Sequence, residues 1–94
     1  MSESMVGQIA VVAGGGSGIG AASAIAIAAK GAHVVICDIR IENAEKIVAE
    51  IKAKGGVASA RLLDATKEAQ VHEVINSIHA DHGEIHAFVN AVGI

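Results

Sequence analysis

The chain has 94 residues, 52% of them hydrophobic and 18% charged, with a net charge of −3. That apolar content excludes general disorder, and the length allows one small domain. The acidic balance offers no basic face to nucleic acid or to an anionic membrane.

Taken in order, residues 8–13 read as a first strand, apolar on both faces and therefore central in a sheet. A glycine loop follows, Gly14-Gly15-Gly16-Ser17-Gly18-Ile19-Gly20. Residues 19–30 read as a helix with a small-residue surface, set by Ala21, Ala22, Ser23, Ala24, Ala26, Ala28 and Ala29. Small side chains let such a helix lie close to the strand behind it. Gly31 is the expected C-cap. Residues 33–37 form a second buried strand that ends at Asp38. A second helix is predicted over 41–54, with Ala44, Ile47, Val48 and Ile51 on one face and Glu42, Glu45, Lys46, Glu50 and Lys52 over the rest. Gly55-Gly56 stops it. The partial alternation of 57–63 suits a third strand at a sheet edge. Asp64-Ala65-Thr66 is a turn, with Thr66 expected as N-cap of a third helix over 67–82. That helix should bury Val71, Val74, Ile75 and Ile78 before Gly83 ends it. Residues 86–91 form a fourth strand. The β-α-β-α-β-α-β order with short connections implies a parallel sheet built from right-handed crossovers.

The chemistry is concentrated in the glycine loop. A strand, a glycine turn and a helix start place free backbone amides and a partial positive charge where a phosphate can sit. Asp38, ending the second strand, is placed to accept hydrogen bonds from the ribose hydroxyls of a dinucleotide. Its charge would repel a 2′-phosphate, so NAD is favoured over NADP, with Arg40 as the nearby cation that weighs the other way. Ser17 reads equally as a phosphate donor or as a small loop residue.

Other constellations carry less. His79, His82 and His86 have spacings of three and four, but Gly83 interrupts the helix between them and no further ligand completes a set, so no metal is expected. Cys37 reads as a small buried residue rather than a nucleophile, and as the lone cysteine it excludes an internal disulfide. The first five residues carry an acid and no basic stretch, and no apolar run reaches membrane-spanning length. The expected setting is the cytoplasm.

These residues together resemble the short-chain dehydrogenase/reductase family. Ala13-Gly14-Gly15-Gly16-Ser17-Gly18-Ile19-Gly20 is similar to the family's T-G-x-x-x-G-x-G, with Ala13 in place of threonine. Asp38 stands at the NAD-selective position, and Asp64 resembles the aspartate that contacts adenine. Phe88-Val89-Asn90-Ala91-Val92-Gly93-Ile94 is similar to L-V-N-N-A-G-I, with Ala91 and Val92 as departures. The resemblance implies an α/β fold, a partial Rossmann fold with three helices on a parallel four-stranded sheet in the order 3-2-1-4. It also implies an NAD site made of Gly14, Ser17, Gly18, Ile19, Gly20, Asp38, Asp64, Ala65, Asn90 and Gly93.

Members of that family carry a catalytic Tyr-x-x-x-Lys and a serine after the fourth strand, whereas this chain has no tyrosine. Residues 1–94 are therefore expected to be one truncated dinucleotide-binding domain without catalytic residues of its own. Phe88, Val89 and Val92 would then lie near an open sheet edge, and the chain would self-associate, as a homodimer, through the fourth strand or a half-covered sheet face. Two alternatives stay open: a non-catalytic assembly unit that needs no ligand, and a binder of a mononucleotide such as AMP or ADP.

Overall fold

The computed structural model describes residues 4–14 and 16–92. In chain order the elements are β1 (Ile9–Ala13), α1 (Gly18–Ala29), β2 (His33–Asp38), α2 (Ile41–Ala53), β3 (Val57–Leu62), α3 (Glu68–His82) and β4 (Ala87–Asn90). Among the described residues the strands form one four-stranded sheet in the order β3-β2-β1-β4. Every pairing in it is parallel: Val11 lies opposite Val35 on one side and Phe88 on the other, and Val35 lies opposite Ser59. The sheet order and the three helices are those the sequence implied.

The central strands β1 and β2 are apolar on both faces because both faces are covered. Val12, Val34, Ile36 and Ala58 point to one side, where Ala21, Ala24 and Ala28 of α1 and Ala44, Ile47 and Ile51 of α2 meet them. Val11, Val35, Cys37 and Leu63 point to the other, where α3 contributes Ile78. Val11, Val12, Val34, Val35 and Ile36 are fully buried, and each such side chain contributes roughly 1.5–3 kcal/mol by leaving water. The alanines of α1 bring its axis close to the sheet, so the start of that helix is held firmly beneath the glycine loop.

Helix ends follow the expected chemistry, with one correction. Gly31 has φ +101°, and its amide donates to the Ala28 carbonyl at 2.9 Å, finishing α1 just after Lys30. Gly83, at φ +85°, ends α3. Thr66, however, does not cap α3; Lys67 holds that position without a side-chain cap. Asp64 is the reason. Its Oδ1 accepts from the Thr66 amide at 3.0 Å and from the Thr66 hydroxyl at 2.6 Å. That turn keeps Thr66 outside the helix, whose first bond, from the Val71 amide to the Lys67 carbonyl at 3.1 Å, starts one residue later. The fourth strand also closes up, running Ala87–Asn90 rather than 86–91. No helix among the described residues is long and apolar enough to cross a membrane.

Candidate functional site

The residues singled out by the sequence come from the C-terminal ends of the strands. Gly14 follows β1, Asp38 closes β2, Asp64 and Ala65 follow β3, and Asn90 closes β4. β1 lies between β2 and β4. The chain leaves β1 toward β2 on one side and returns from β3 to β4 on the other. In open α/β sheets that switch of direction opens the crevice where ligands bind.

Main-chain bonds hold the strand ends flush. The Gly14 amide donates to the Cys37 carbonyl at 2.7 Å, Leu63 to the Asp38 carbonyl at 2.9 Å, and Ala91 to the Ala13 carbonyl at 2.9 Å. Gly14 (φ +76°) and Gly18 (φ +57°) use backbone angles that side chains disfavour. Gly20 is required for a different reason: a Cβ there would collide with the Gly14 carbonyl oxygen and come within 3.1 Å of the Ala91 Cβ. The loop therefore packs on the segment after β4. Val92, which replaces the family's alanine, puts its Cγ2 3.0 Å from where a Gly14 Cβ would be.

Ser17 is the N-cap residue of α1, with extended backbone and no side-chain capping bond, and no acidic residue occupies the first turn. The first-turn amides of a helix have no intrahelical partner, so Gly18, Ile19 and Gly20 turn N–H groups toward the crevice. Ser17 and Ile19 are exposed, Ile19 at 61%. A helix start without a carboxylate of its own favours an anion.

Asp38 reaches from β2 to the loop. Its Oδ2 accepts from the Gly16 amide at 3.0 Å and its Oδ1 from the Arg40 amide at 2.9 Å. Asp64 keeps its carboxyl below the usual carboxylate range, first through the Thr66 hydroxyl, then through the Thr66 amide. Ala65 packs its side chain under α3, so what it presents outward is main chain. Asn90 turns its Oδ1 back to accept from the Val92 amide at 3.0 Å. Gly93 lies outside the described residues. Cys37 is fully buried beneath the loop. Burial pushes its thiol up to about 11, which is the behaviour of a packed residue and not of a nucleophile.

Gly14, Gly18, Gly20 and Asp38 thus gather at one point, with Asn90 on the neighbouring strand and Asp64 at the far end of β3. Gly16 is the residue that sequence reasoning passed over. Its Cβ would stand 2.6 Å from Asp38 Oδ2 and 2.7 Å from Asn43 Cβ. Three glycines in a row carried the signal, but only the fold shows which neighbour each one meets. A hollow of about 410 Å³, lined by residues such as Ile25, Ala28, Gly31, Ile51 and Val57, lies at the opposite end of the strands, where α1 and α2 finish, and is separate from this site. Among the described residues no group of three or more histidine, cysteine or acidic side chains could hold a metal ion.

A parallel sheet with a glycine turn at its switch point defines a nucleotide-binding α/β protein. Residues 8–94 match the short chain dehydrogenase family, and the chain belongs to it. It is 39% identical, over its whole length, to 2,5-dichloro-2,5-cyclohexadiene-1,4-diol dehydrogenase LinX of Sphingobium indicum, of which it spans 38%. Among solved structures, citronellol catabolism dehydrogenase (AtuB) of Pseudomonas aeruginosa superposes with a TM-score of 0.90 at 40% identity, over 96% of this chain and 38% of that one. A metagenomic short-chain oxidoreductase in complex with NADP superposes with a TM-score of 0.92 at 33% identity, over 96% of this chain and 41% of that one. Membership of the family is what these comparisons show, and the chain corresponds to well under half the length of such relatives.

Proposed function

We propose that these residues hold the adenosine and pyrophosphate of NAD in an oxidoreductase that moves hydride between the nicotinamide and an alcohol or carbonyl carbon. The reading rests chiefly on Asp38, whose carboxylate closes β2 beside the glycine loop. The α1 amides after Ser17 receive the pyrophosphate, with Ile19 as exposed apolar cover. Asp38 takes the adenosine ribose. Asp64 and the Ala65 main chain flank the adenine, Asn90 shapes the loop's floor, and Gly93, outside the described residues, completes the proposed cofactor contacts. The chain has no tyrosine, so the family's tyrosine–lysine proton relay is not supplied by these 94 residues. Hydride transfer belongs to a protein that carries both parts. A cytoplasmic setting, with Cys37 kept as a buried thiol, belongs to the same reading.

NAD is preferred to the form with a 2′-phosphate because a second anion would meet the Asp38 carboxylate. The NADP complex of the metagenomic relative makes this the point to test. Calorimetric titration of the chain with NAD and with NADP should show NAD bound at least about tenfold more tightly, roughly 1.4 kcal/mol. Equal affinities would remove the selectivity. Binding of neither would remove the cofactor reading.

Self-association is proposed alongside it. Among the described residues β4 is an edge strand, and Phe88 on it is 44% exposed with Val92 just after it at 43%. Unpaired apolar edges recruit further chains. A second copy on that edge would double the mass in light scattering at high micromolar concentration, whereas a strictly monomeric mass refutes the pairing.

A further inference from the structure

We infer that Asp38 is a positioning residue for the glycine loop, its carboxylate holding Gly16 against the start of α2 so that the loop keeps its anion-binding shape without a ligand. The inference rests on the reading that this loop receives a phosphate group. It goes beyond that reading, because it gives Asp38 a task that needs no ribose.

Both carboxylate oxygens are already engaged by main chain. Oδ2 accepts from Gly16 at 3.0 Å and Oδ1 from Arg40 at 2.9 Å. Bonds from amides to an ionised carboxylate are stronger than those between neutral partners. The loop is anchored at its start by Gly14 on Cys37, at 2.7 Å, and at its end by Ala21 on the Ser17 carbonyl, at 3.2 Å. Gly16 lies between those anchors, and the bond reaching it crosses from β2 to the loop.

Contact is also close enough to exclude a side chain. A Cβ on Gly16 would be 2.6 Å from the same carboxylate oxygen, 2.7 Å from Asn43 Cβ and 3.0 Å from the Ala44 nitrogen. Gly16 is buried, and its φ is not one that demands glycine. The requirement at this position is therefore spatial. Carboxylate, loop and first turn of α2 meet as one contact, so Asp38 cannot swing toward a ribose without releasing the loop. Ribose hydroxyls must instead share lone pairs of a carboxylate that stays in place.

The two roles separate with a ligand that has no ribose. If Asp38 served only a ribose, removing its charge would leave inorganic pyrophosphate bound equally well or better, since one negative charge near an anion has gone. If it positions the loop, pyrophosphate binding falls despite that loss of repulsion. The experiment compares the full chain with Asp38→Ala and Asp38→Asn. Gly16 amide exchange is followed by NMR without ligand, and pyrophosphate and NAD binding by calorimetry. In Asp38→Ala we expect Gly16 exchange at least tenfold faster while the Val11 and Val35 amides keep their protection, and a threefold or greater loss of pyrophosphate affinity. Asp38→Asn retains one acceptor and should fall between, and it carries the test if the alanine variant does not fold. Unchanged Gly16 exchange, or pyrophosphate bound as well or better by both variants, overturns the inference. If the unsubstituted chain binds neither pyrophosphate nor NAD, the phosphate reading fails, and the Gly16 exchange rate still decides whether Asp38 holds the loop.

Discussion

The two faces of the sheet are built differently. On one, α1 and α2 set Ala21, Ala24, Ala28, Ala44, Ile47 and Ile51 against Val12, Val34, Ile36 and Ala58 in a continuous apolar layer. On the other, α3 buries Ile78 alone, with Val71, Val74 and Ile75 only half-covered against Val11, Val35 and Cys37. The alternation of β3 explains part of this. Ala58 and Ala60 pack toward α1 and α2, whereas Ser59 and Arg61 point to α3. Polar links do on the α3 face what packing does on the other. Arg61 binds Ser77 at 2.8 Å and Asp81 at 2.5 Å, and the His33 and His82 rings meet edge to face at 4.5 Å. The close-packed face carries the glycine loop and the start of α1. The glycine-loop part of the site is therefore mounted on the tightly packed side, whereas Ala65 packs with the looser one.

Core truncation tests that contrast most strongly. Ile36→Ala removes a fully buried side chain from the two-helix face, where neighbours on three elements cannot collapse into the gap. A loss of about 4 kcal/mol is expected in urea unfolding. Ile78→Ala removes an equally buried side chain, but α3 can settle toward the sheet. The expected loss is about 2 kcal/mol. Equal losses would mean that the two faces are equally well packed.

What the sequence disclosed follows the same division. The two-helix face was legible because its signals are local: alanines at helical spacing in 21–29, and Ala44, Ile47 and Ile51 three and four apart. Strand order and the placing of Asp38 beside the glycine loop followed from the family resemblance. The α3 face was less legible. Its apolar stripe, Val71, Val74, Ile75 and Ile78, is read correctly as a face, but how much of it is covered depends on residues from β3 that lie close only after folding. Thr66 fails as a cap for a related reason. Cap preference is a statement about one residue, whereas the turn that Asp64 closes on Thr66 sets where the helix starts, one residue later at Lys67. In the site, glycine spacing located the turn, whereas the tie from Gly16 to Asp38 joins residues that are neighbours only after folding.

Smaller effects probe the polar links. Asp81→Ala breaks the bond to Arg61, whose side chain is 28% exposed against 56% for Asp81. A partly exposed pair of this kind is worth about 0.2–1 kcal/mol. Urea midpoints should shift by that amount at low salt and by less at high salt. Cofactor affinity should stay unchanged, because the side-chain bonds of Arg61 and Asp81 run to α3 and not to the glycine loop. A change in NAD binding would show that the two faces are coupled.

The smallest effect is a dependence on pH that belongs to the α3 face alone. His33 is half-buried on β2, bonded to the Ser59 hydroxyl at 3.2 Å and facing the His82 ring. Burial, and then the charge on His82, lower its pKa from the ordinary 6.5. The folded chain thus binds the His33 proton less tightly than the unfolded chain does. Stability from this residue is complete above the unfolded value, about 6.5. It declines as pH falls through that value toward the lower folded one. In urea unfolding, the loss between pH 7.5 and pH 5.5 should be smaller in His33→Gln than in the unsubstituted chain, all other titrating groups being common to both. His82→Gln should recover part of the same difference, since the repelling charge is gone while burial remains. Identical pH profiles for the three chains would mean that the α3 face does not feel protonation, and that its looseness comes from sparse packing alone.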